Sequence, residues 1–390
     1  MKSNDMFTNI PLKRWAMIFP KRCVREVDDF LRLMKEVSNG MHYDMADPKL
    51  TEMPDDRVGT YVAHLNNIIV KDPKMIVVVV PNNAADRYSA IKKLTCVDKT
   101  IPTQVIVQKT MMPKKGNMAG VKSIATKVMI QINCKLGGAP WMINFPLKGT
   151  MTIGFDVTHD TRDKSKSYGA FVATMDLKQK IAFFSAASPH KDGNELSSNI
   201  DLHIVSAMKQ YKTTHGSLPE RVMFYRDGVG DGQIEQVHSQ EVKRIEEKMA
   251  ALYNRFGDGK TPKFTFIIVN KRLNTRIFQN KGNRVSNPDS GTVVDTTITL
   301  PERYDFFLVS QSVRQGTVAP TSYNIINDSS GLTPDQMQVI TYKNTHLYYN
   351  WSGTTRVPAV VQYAHKLALL VGQSLHQAPS NAWDGQLYFL

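Results

Sequence analysis

Two α/β domains in series are what this chain predicts: a Rossmann-like domain followed by one built on a mixed sheet. Three observations carry that reading. The run KMIVVVVP, covering Met75–Val80, is continuous and β-branched, the mark of a parallel strand buried on both faces. A loop, a helical pattern and a second short strand follow it, the order of an open α/β sheet. Farther on, three strands run without a helix between them, and then a helix and more strands follow, giving β-β-β-α-β.

Taken in order, residues 1–20 show little periodicity and read as a linker. In 24–37 (VREVDDFLRLMKEV), Val27, Phe30, Leu31 and Met34 recur at helical spacing and predict an amphipathic helix. PNNAADRYSAIKKL reads as a loop opening a helix, with Asp86 as its N-cap, and QVIVQ as a strand. Ligands of open α/β sheets sit beyond the carboxyl ends of the strands. The loop after Val80 and the start of the Tyr88 helix are therefore the expected binding edge, where a helix N-terminus offers N–H groups to a phosphate. Leu136-Gly137-Gly138-Ala139-Pro140 punctuates the chain, which places the domains at 1–140 and 141–390. Beyond it, TMTIGFDVT, YGAFVATMD and KIAFFSAAS read as strands, 196–211 as a helix, and RVMFYRDG and FTFIIVN as strands. With acidic residues at strand ends, that is the RNase H-like order.

Composition bounds the partners. At 390 residues the chain is long enough for two or three domains of ~150 residues. Hydrophobic residues at 42% and charged residues at 22% exclude wholesale disorder. Lys and Arg total 49 against 35 Asp and Glu, a net +14, which favours a polyanionic partner. Cys23, Cys96 and Cys134 are too few and too scattered for a disulfide framework or a cysteine zinc site, so a reducing compartment is expected. No apolar run reaches the ~18 residues of a membrane span, and no membrane association is expected.

Asp156 in GFDVTHD and Asp227 in MFYRDGVGDGQ each follow an apolar strand. One such Asp is more often a turn residue than a ligand. Two of them leaving strands of one sheet, in a basic protein, are poised to hold Mg²⁺ against a phosphate.

Longer strings carry a resemblance: NIPLKRWAMIFPKR, DRYSAIKKL, INCKLGGAPW, TIGFDVTHD, FYRDGVGDGQ, LPERYDFFLVSQSVRQGTVAPTSYN, HLYYNWSGTTRVPAVVQYAHKLA and the terminal YFL. They span nearly the whole chain, which resembles the MID–PIWI half of a PIWI-clade Argonaute without the amino-terminal and PAZ domains. The resemblance implies a piRNA-guided slicer with an Asp-Glu-Asp-His site. By motif its members are Asp156, Glu195 (in DGNELSS), Asp227 and His365 (in QYAHKLA). Asp156, Asp227 and His365 would ligate two catalytic Mg²⁺ ions, and Glu195 would swing in from a loop. The products would be a 3′-hydroxyl and a 5′-phosphate.

The same resemblance implies a pocket for a guide's 5′-phosphate at Tyr88, Lys92, Gln104, Gln131 and Lys135. Tyr88 would stack on the first base, and Lys92, one helical turn later, faces the same side. Two cations of microRNA-type Argonautes are replaced, by Gln131 and by Leu370. PIWI-type proteins resemble this arrangement and use a divalent metal, so a further Mg²⁺ is expected on Gln104 and the C-terminal carboxylate of Leu390. Residues 82–87 match the loop that selects the first nucleotide. Lys271, Arg272, Gln311 and Tyr348 match positions that grip the guide backbone, contacts that position a strand without reading sequence.

The reading is therefore a guide-RNA-anchored endoribonuclease serving transposon silencing, a monomer with guide and target RNA as partners. Tudor-domain proteins would join it through a missing amino-terminal region, in perinuclear germ granules. Two alternatives stand beside it: a guide-binding silencing module that does not cut, and an unguided nuclease of the RNase H class, which would need no 5′-end anchor.

Overall fold

The computed structural model describes residues 5–114, 116–176, 182–190, 199–257, 260–383 and 385–390. The chain forms two compact units, Met1–Met142 with Leu369–Leu390, and Ile143–Ala368. Residues 369–390, expected from sequence in the second domain, group with the first.

The first unit runs β1 (Trp15–Pro20), α1 (Val24–Gly40), β2 (Lys49–Met53), α2 (Val58–Ile69), β3 (Met75–Val80), α3 (Ala85–Lys93), β4 (Thr103–Val107), the short α4 (Gln108–Met111) and α5 (Met118–Lys135). The sheet is parallel throughout, in the order β2-β1-β3-β4. Every residue of β3 is buried, as its unbroken apolar run requires. One sheet face, with Ala16, Ile18, Ile76 and Val78, packs on Tyr61, Leu65 and Ile68 of α2 and Ile91 of α3. The linker reading of 1–20 fails at β1, a fully buried strand between β2 and β3. A strand covered on both faces shows no alternation, and WAMIFP lies between basic residues that mask it. Helix α1 buries Val27, Phe30 and Met34 as its spacing demands, and leaves Leu31 half-buried. Asp86 is not the cap of α3. Ala84 holds that position, and the Asp86 carboxylate accepts the Arg87 N–H inside the first turn.

The second unit opens with three antiparallel strands, β5 (Thr150–His159), β6 (Ser167–Asp176) and β7 (Ala182–His190). Helix α6 (Ile200–His215) leads to β8 (Arg221–Asp227), which lies parallel to β5. The short α7 (Ile234–Val237) and α8 (Lys243–Phe256) return the chain to β9 (Lys263–Asn270), parallel to β8. A two-stranded ribbon follows, β10 (Gln279–Lys281) with β11 (Arg284–Ser286). Strands β12 (Thr292–Val294), β13 (Tyr304–Val309) and β14 (Thr321–Asp328) complete an eight-stranded sheet in the order β12-β13-β14-β9-β8-β5-β6-β7. Helices α9 (Pro334–Asn344) and α10 (Ala359–Leu370) come last. Met151, Ile153 and Phe155 of β5 pack with Phe171 of β6, Phe224 of β8 and Phe266 of β9 against Ile204 and Met208 of α6 and Ile245 and Met249 of α8.

Asp156 does not end its strand. β5 continues to His159 because β6 pairs with it that far. The parallel pairing with β8 stops at Phe155–Arg226, so Asp156 stands one residue past the end of that ladder, beside Asp227 at the end of β8. Gly154 lies on the same strand, and a Cβ there would sit 2.3 Å from the Val360 carbonyl carbon and 2.5 Å from the Val361 nitrogen. Backbone meets backbone at this point, and only glycine leaves room. Gly154→Ala should therefore push the start of α10 off β5 and cost on the order of 1–3 kcal/mol. A lowered denaturation midpoint in urea with an unchanged m-value would register that loss.

Candidate functional site

The acidic site forms where β5, β8 and α10 converge. Asp156 and Asp227 are 6% and 2% exposed. His365, on the second turn of α10, approaches Asp156 Oδ2 through Nδ1 at 2.7 Å. A carboxylate only accepts, so Nδ1–H is the donor and Nε2 is left as the ring atom that can reach a ligand. Asp156 Oδ1 accepts the Val157 N–H at 2.9 Å, which fixes the second oxygen. Asp227 Oδ2 forms a short ion pair with the Lys271 ammonium. Burial and the neighbouring Asp156 charge push the Asp227 carboxyl above the usual carboxylate range, and Lys271 works against that.

What seats Asp227 was not legible in the motifs. Arg226, one residue earlier, is buried, and its guanidinium donates to the Asp227 carbonyl and to Glu241 Oε2 at 3.2 Å. The same guanidinium lies 5.0 Å over the Phe155 ring. Gly228 then takes φ +78°, turning the chain away at a point where a side chain would face Asp156. The one available signal was an arginine inside an apolar strand, which must find a buried partner.

The donors suit a divalent cation: two nearly buried carboxylates, with an ammonium held against one of them as a stand-in ion. Among the described residues no three His, Cys, Asp or Glu side chains are grouped to enclose a metal. Glu195, expected as the fourth member, lies outside the described residues. Lys271, expected to grip a guide, has its ammonium on Asp227. Of the other backbone-gripping candidates, Arg272 is exposed, with its N–H on Asn270 Oδ1 at 3.0 Å. Gln311 donates to the Thr354 carbonyl at 3.3 Å. Tyr348 is buried, its ring 5.1 Å from that of Tyr363, and it accepts at its hydroxyl from Asn350 at 3.4 Å.

A basic cluster forms in the first unit. Lys92 Nζ donates to Thr103 O at 3.1 Å and Oγ1 at 2.9 Å. Lys135 Nζ donates to Thr103 O at 2.9 Å and to Gln104 Oε1 at 2.8 Å. Gln104 passes the network on, donating from Nε2 to Gln131 Oε1 at 3.1 Å. The two lysines are 3% and 2% exposed. Lys92 Nζ also lies 6.0 Å from the Tyr88 ring, which is 36% exposed while enclosure of its hydroxyl pushes the phenol up to about 12. Leu390 belongs to the same unit and is buried, its N–H on the Leu387 carbonyl at 3.0 Å.

The cluster does not lie at the sheet edge expected to bind a ligand. Thr103 and Gln104 begin β4, and Lys92 and Lys135 lie in the last turns of α3 and α5. It therefore sits at the amino end of the sheet, opposite the loop after Val80. Helix α3 runs on without a break into a π-helical turn over Leu94–Asp98, so of the two lysines only Lys135 stands at a helix C-terminus, whose partial negative charge steadies its ammonium. Thr103, which no motif pointed to, holds both ammonium groups.

Burial lowers the Lys92 pKa from the ordinary lysine value, with the neighbouring Cys96 working against it. With the folded pKa below the unfolded one, the cost of that charge is carried at low pH and relieved as pH rises towards ~10.4. Lys92→Met should therefore stabilise the ligand-free protein, on the order of 1 kcal/mol, and narrow the rise of melting temperature with pH. An anion held by Lys92 should be lost at a lower pH than an ordinary lysine would lose it, which binding titrations between neutral and alkaline pH would read.

Residues 75–376 match the Piwi domain. The Drosophila melanogaster protein Aubergine is 49% identical over 386 residues, covering 99% of this chain and 44% of its own length. The crystal structure of Drosophila Piwi aligns with 100% of the chain and 52% of its own at a TM-score of 0.93 and 47% identity. That of Kluyveromyces polysporus Argonaute with a guide RNA covers 98% of this chain and 51% of its own, with a TM-score of 0.84 at 21% identity, a likeness of fold. The chain thus spans about half the length of the relatives it matches. A domain match of that extent, on a parallel α/β unit joined to an RNase H-like sheet, means that the chain belongs to the Piwi family of Argonaute proteins.

Proposed function

We propose that this chain is the guide-anchoring and target-cleaving half of a piRNA-guided RNA endonuclease that serves transposon silencing. The observation that carries the reading is Asp156 and Asp227 side by side past the β5–β8 ladder, with His365 on Asp156. The guide RNA bound by the K. polysporus Argonaute supports the substrate class.

Asp156 and Asp227 would hold Mg²⁺, with Glu195 and His365 completing the set. The ions' contribution when bound is to lower the pKa of water and to neutralise charge that develops on the scissile phosphate. The protein's own residues do the positioning. His365 and the Val157 N–H fix both Asp156 oxygens, which keeps that carboxylate from rotating. Arg226 anchors the Asp227 backbone, and burial of both acids strengthens every electrostatic contact made there.

In the first unit, Tyr88 would stack on the guide's first base while Lys92, Lys135, Gln104 and Gln131 take its 5′-phosphate. A further Mg²⁺ on Gln104 and the Leu390 carboxylate would replace the cations that Gln131 and Leu370 do not supply. Lys271, Arg272, Gln311 and Tyr348 would follow the guide backbone, and the net +14 draws the polyanion in. The same reading places the protein with Tudor-domain partners in perinuclear germ granules.

Loading a 5′-phosphorylated guide and adding an end-labelled complementary RNA with Mg²⁺ tests the proposal. Cleavage at one guide-defined position, lost in Asp227→Asn, is the expected result. Guide binding with no cleavage, persisting in a chain of the relatives' full length, would leave a binding module in place of an enzyme. Residues appended after Leu390 should weaken guide binding several-fold in a filter-binding assay, and unchanged affinity would remove the terminal carboxylate from the phosphate site.

A further inference from the structure

We infer that Lys271 is the acidic site's resident counter-cation: its ammonium holds Asp227 while no metal is bound, competes with a divalent ion for that carboxylate, and swings into solvent when the ion binds. Lys271 would thereby set the metal affinity of the site. The inference rests on the metal-binding reading above and adds to it a role for a lysine that the sequence had assigned to the guide.

The geometry is specific. Asp227 pairs with Val269 across β8 and β9, and Lys271 lies two residues beyond Val269, so it faces the same side of the sheet. From there its four-carbon stem reaches back to Asp227 Oδ2. The backbone beneath it is clamped: Arg356 Nη2 donates to the Lys271 carbonyl at 2.5 Å and to the Pro320 carbonyl at 3.0 Å. Asn270 Oδ1 holds the next N–H, that of Arg272. With the backbone fixed, only the side chain is left to move.

Exposure makes that movement cheap in one direction. The Lys271 side chain is 27% exposed and that of Asp227 is 3% exposed, so the ammonium approaches from the solvent side and closes the route by which an ion would arrive. A lysine head is a compact, strongly hydrated charge on a flexible stem, able to leave for water at little cost. Asp227, seated by Arg226, cannot follow it. Without Lys271 the two buried carboxylates would face each other with no cation on Asp227, a costly arrangement in a medium of low dielectric constant. The lysine thus makes the metal-free fold tolerable, and a divalent ion must displace it.

Two measurements on the intact chain test this. In the first, Mn²⁺ is titrated calorimetrically into the wild type, Lys271→Gln, Lys271→Arg and Asp227→Asn. Binding abolished by Asp227→Asn and tightened about ten-fold or more by Lys271→Gln, with Lys271→Arg close to the wild type, is expected. Equal affinity in wild type and Lys271→Gln, with Asp227→Asn still abolishing binding, would overturn the role of Lys271 alone. No Asp227-dependent binding in either protein would overturn the metal reading and this inference together.

In the second, which needs no substitution at Lys271, amines are labelled with a succinimidyl ester and Lys271 modification is read by mass spectrometry. Saturating Mn²⁺ should raise labelling of Lys271 several-fold in the wild type, and Asp227→Asn should show the raised level with or without the ion. Labelling of Lys271 unaffected by Mn²⁺ would show that the ammonium is not displaced and would overturn the proposal.

Discussion

Backbone contact between β5 and the start of α10 is the constraint on which the acidic site depends. At Gly154 the two segments come closer than any side chain permits. That approach brings the second turn of α10 over the end of the β5–β8 ladder and lets His365 reach Asp156 across a sequence gap of 209 residues. The remaining features follow from burying two carboxylates there. One is fixed by an imidazole and a backbone N–H. The other is seated by a buried arginine and neutralised by a lysine. Charge is tolerable in that interior only because every oxygen so described has a donor or a cation opposite it.

The first unit solves the converse problem. It holds two lysine ammonium groups almost out of water, and the atoms described around them are a carbonyl, a hydroxyl and an amide oxygen. The carbonyl end of α5 adds partial negative charge beside Lys135. Burial among such groups depresses the Lys92 pKa. The two units are thus opposite in kind: one buries carboxylates, the other ammonium groups.

The sheet order gives both clusters their addresses. In the second unit, the crossover through α6 lays β8 parallel to β5, their ladder stops at Phe155 and Arg226, and the acids one residue beyond it meet there. In the first unit, β4 starts where α3 and α5 finish, so residues from three separate segments share one corner. Neither meeting is local. Lys92 and Thr103 are 11 residues apart, but Lys135 and Thr103 are 32 apart, and Lys271 and Asp227 are 44 apart.

Sequence by itself determined the class of the fold, because hydrophobic periodicity and unbroken apolar runs record which faces are buried. It also determined the acids of the candidate site, since Asp156 and Asp227 follow strands whose burial pattern is plain. It misjudged β1, where burial on both faces erases the alternation that marks a strand, and the cap of α3, where several Asn and Asp residues compete within one loop. Tertiary structure alone decided the rest. Which end of the parallel sheet carries the lysines depends on where α3 and α5 terminate against β4. The grouping of residues 369–390 with the first unit depends on the path taken after α10. The pairing of Lys271 with Asp227 depends on the register of β8 against β9, and the seat of Asp227 depends on Arg226 finding Glu241 and Phe155. Each of these is a long-range contact whose energy exists only once the chain is folded, so no local pattern encodes it.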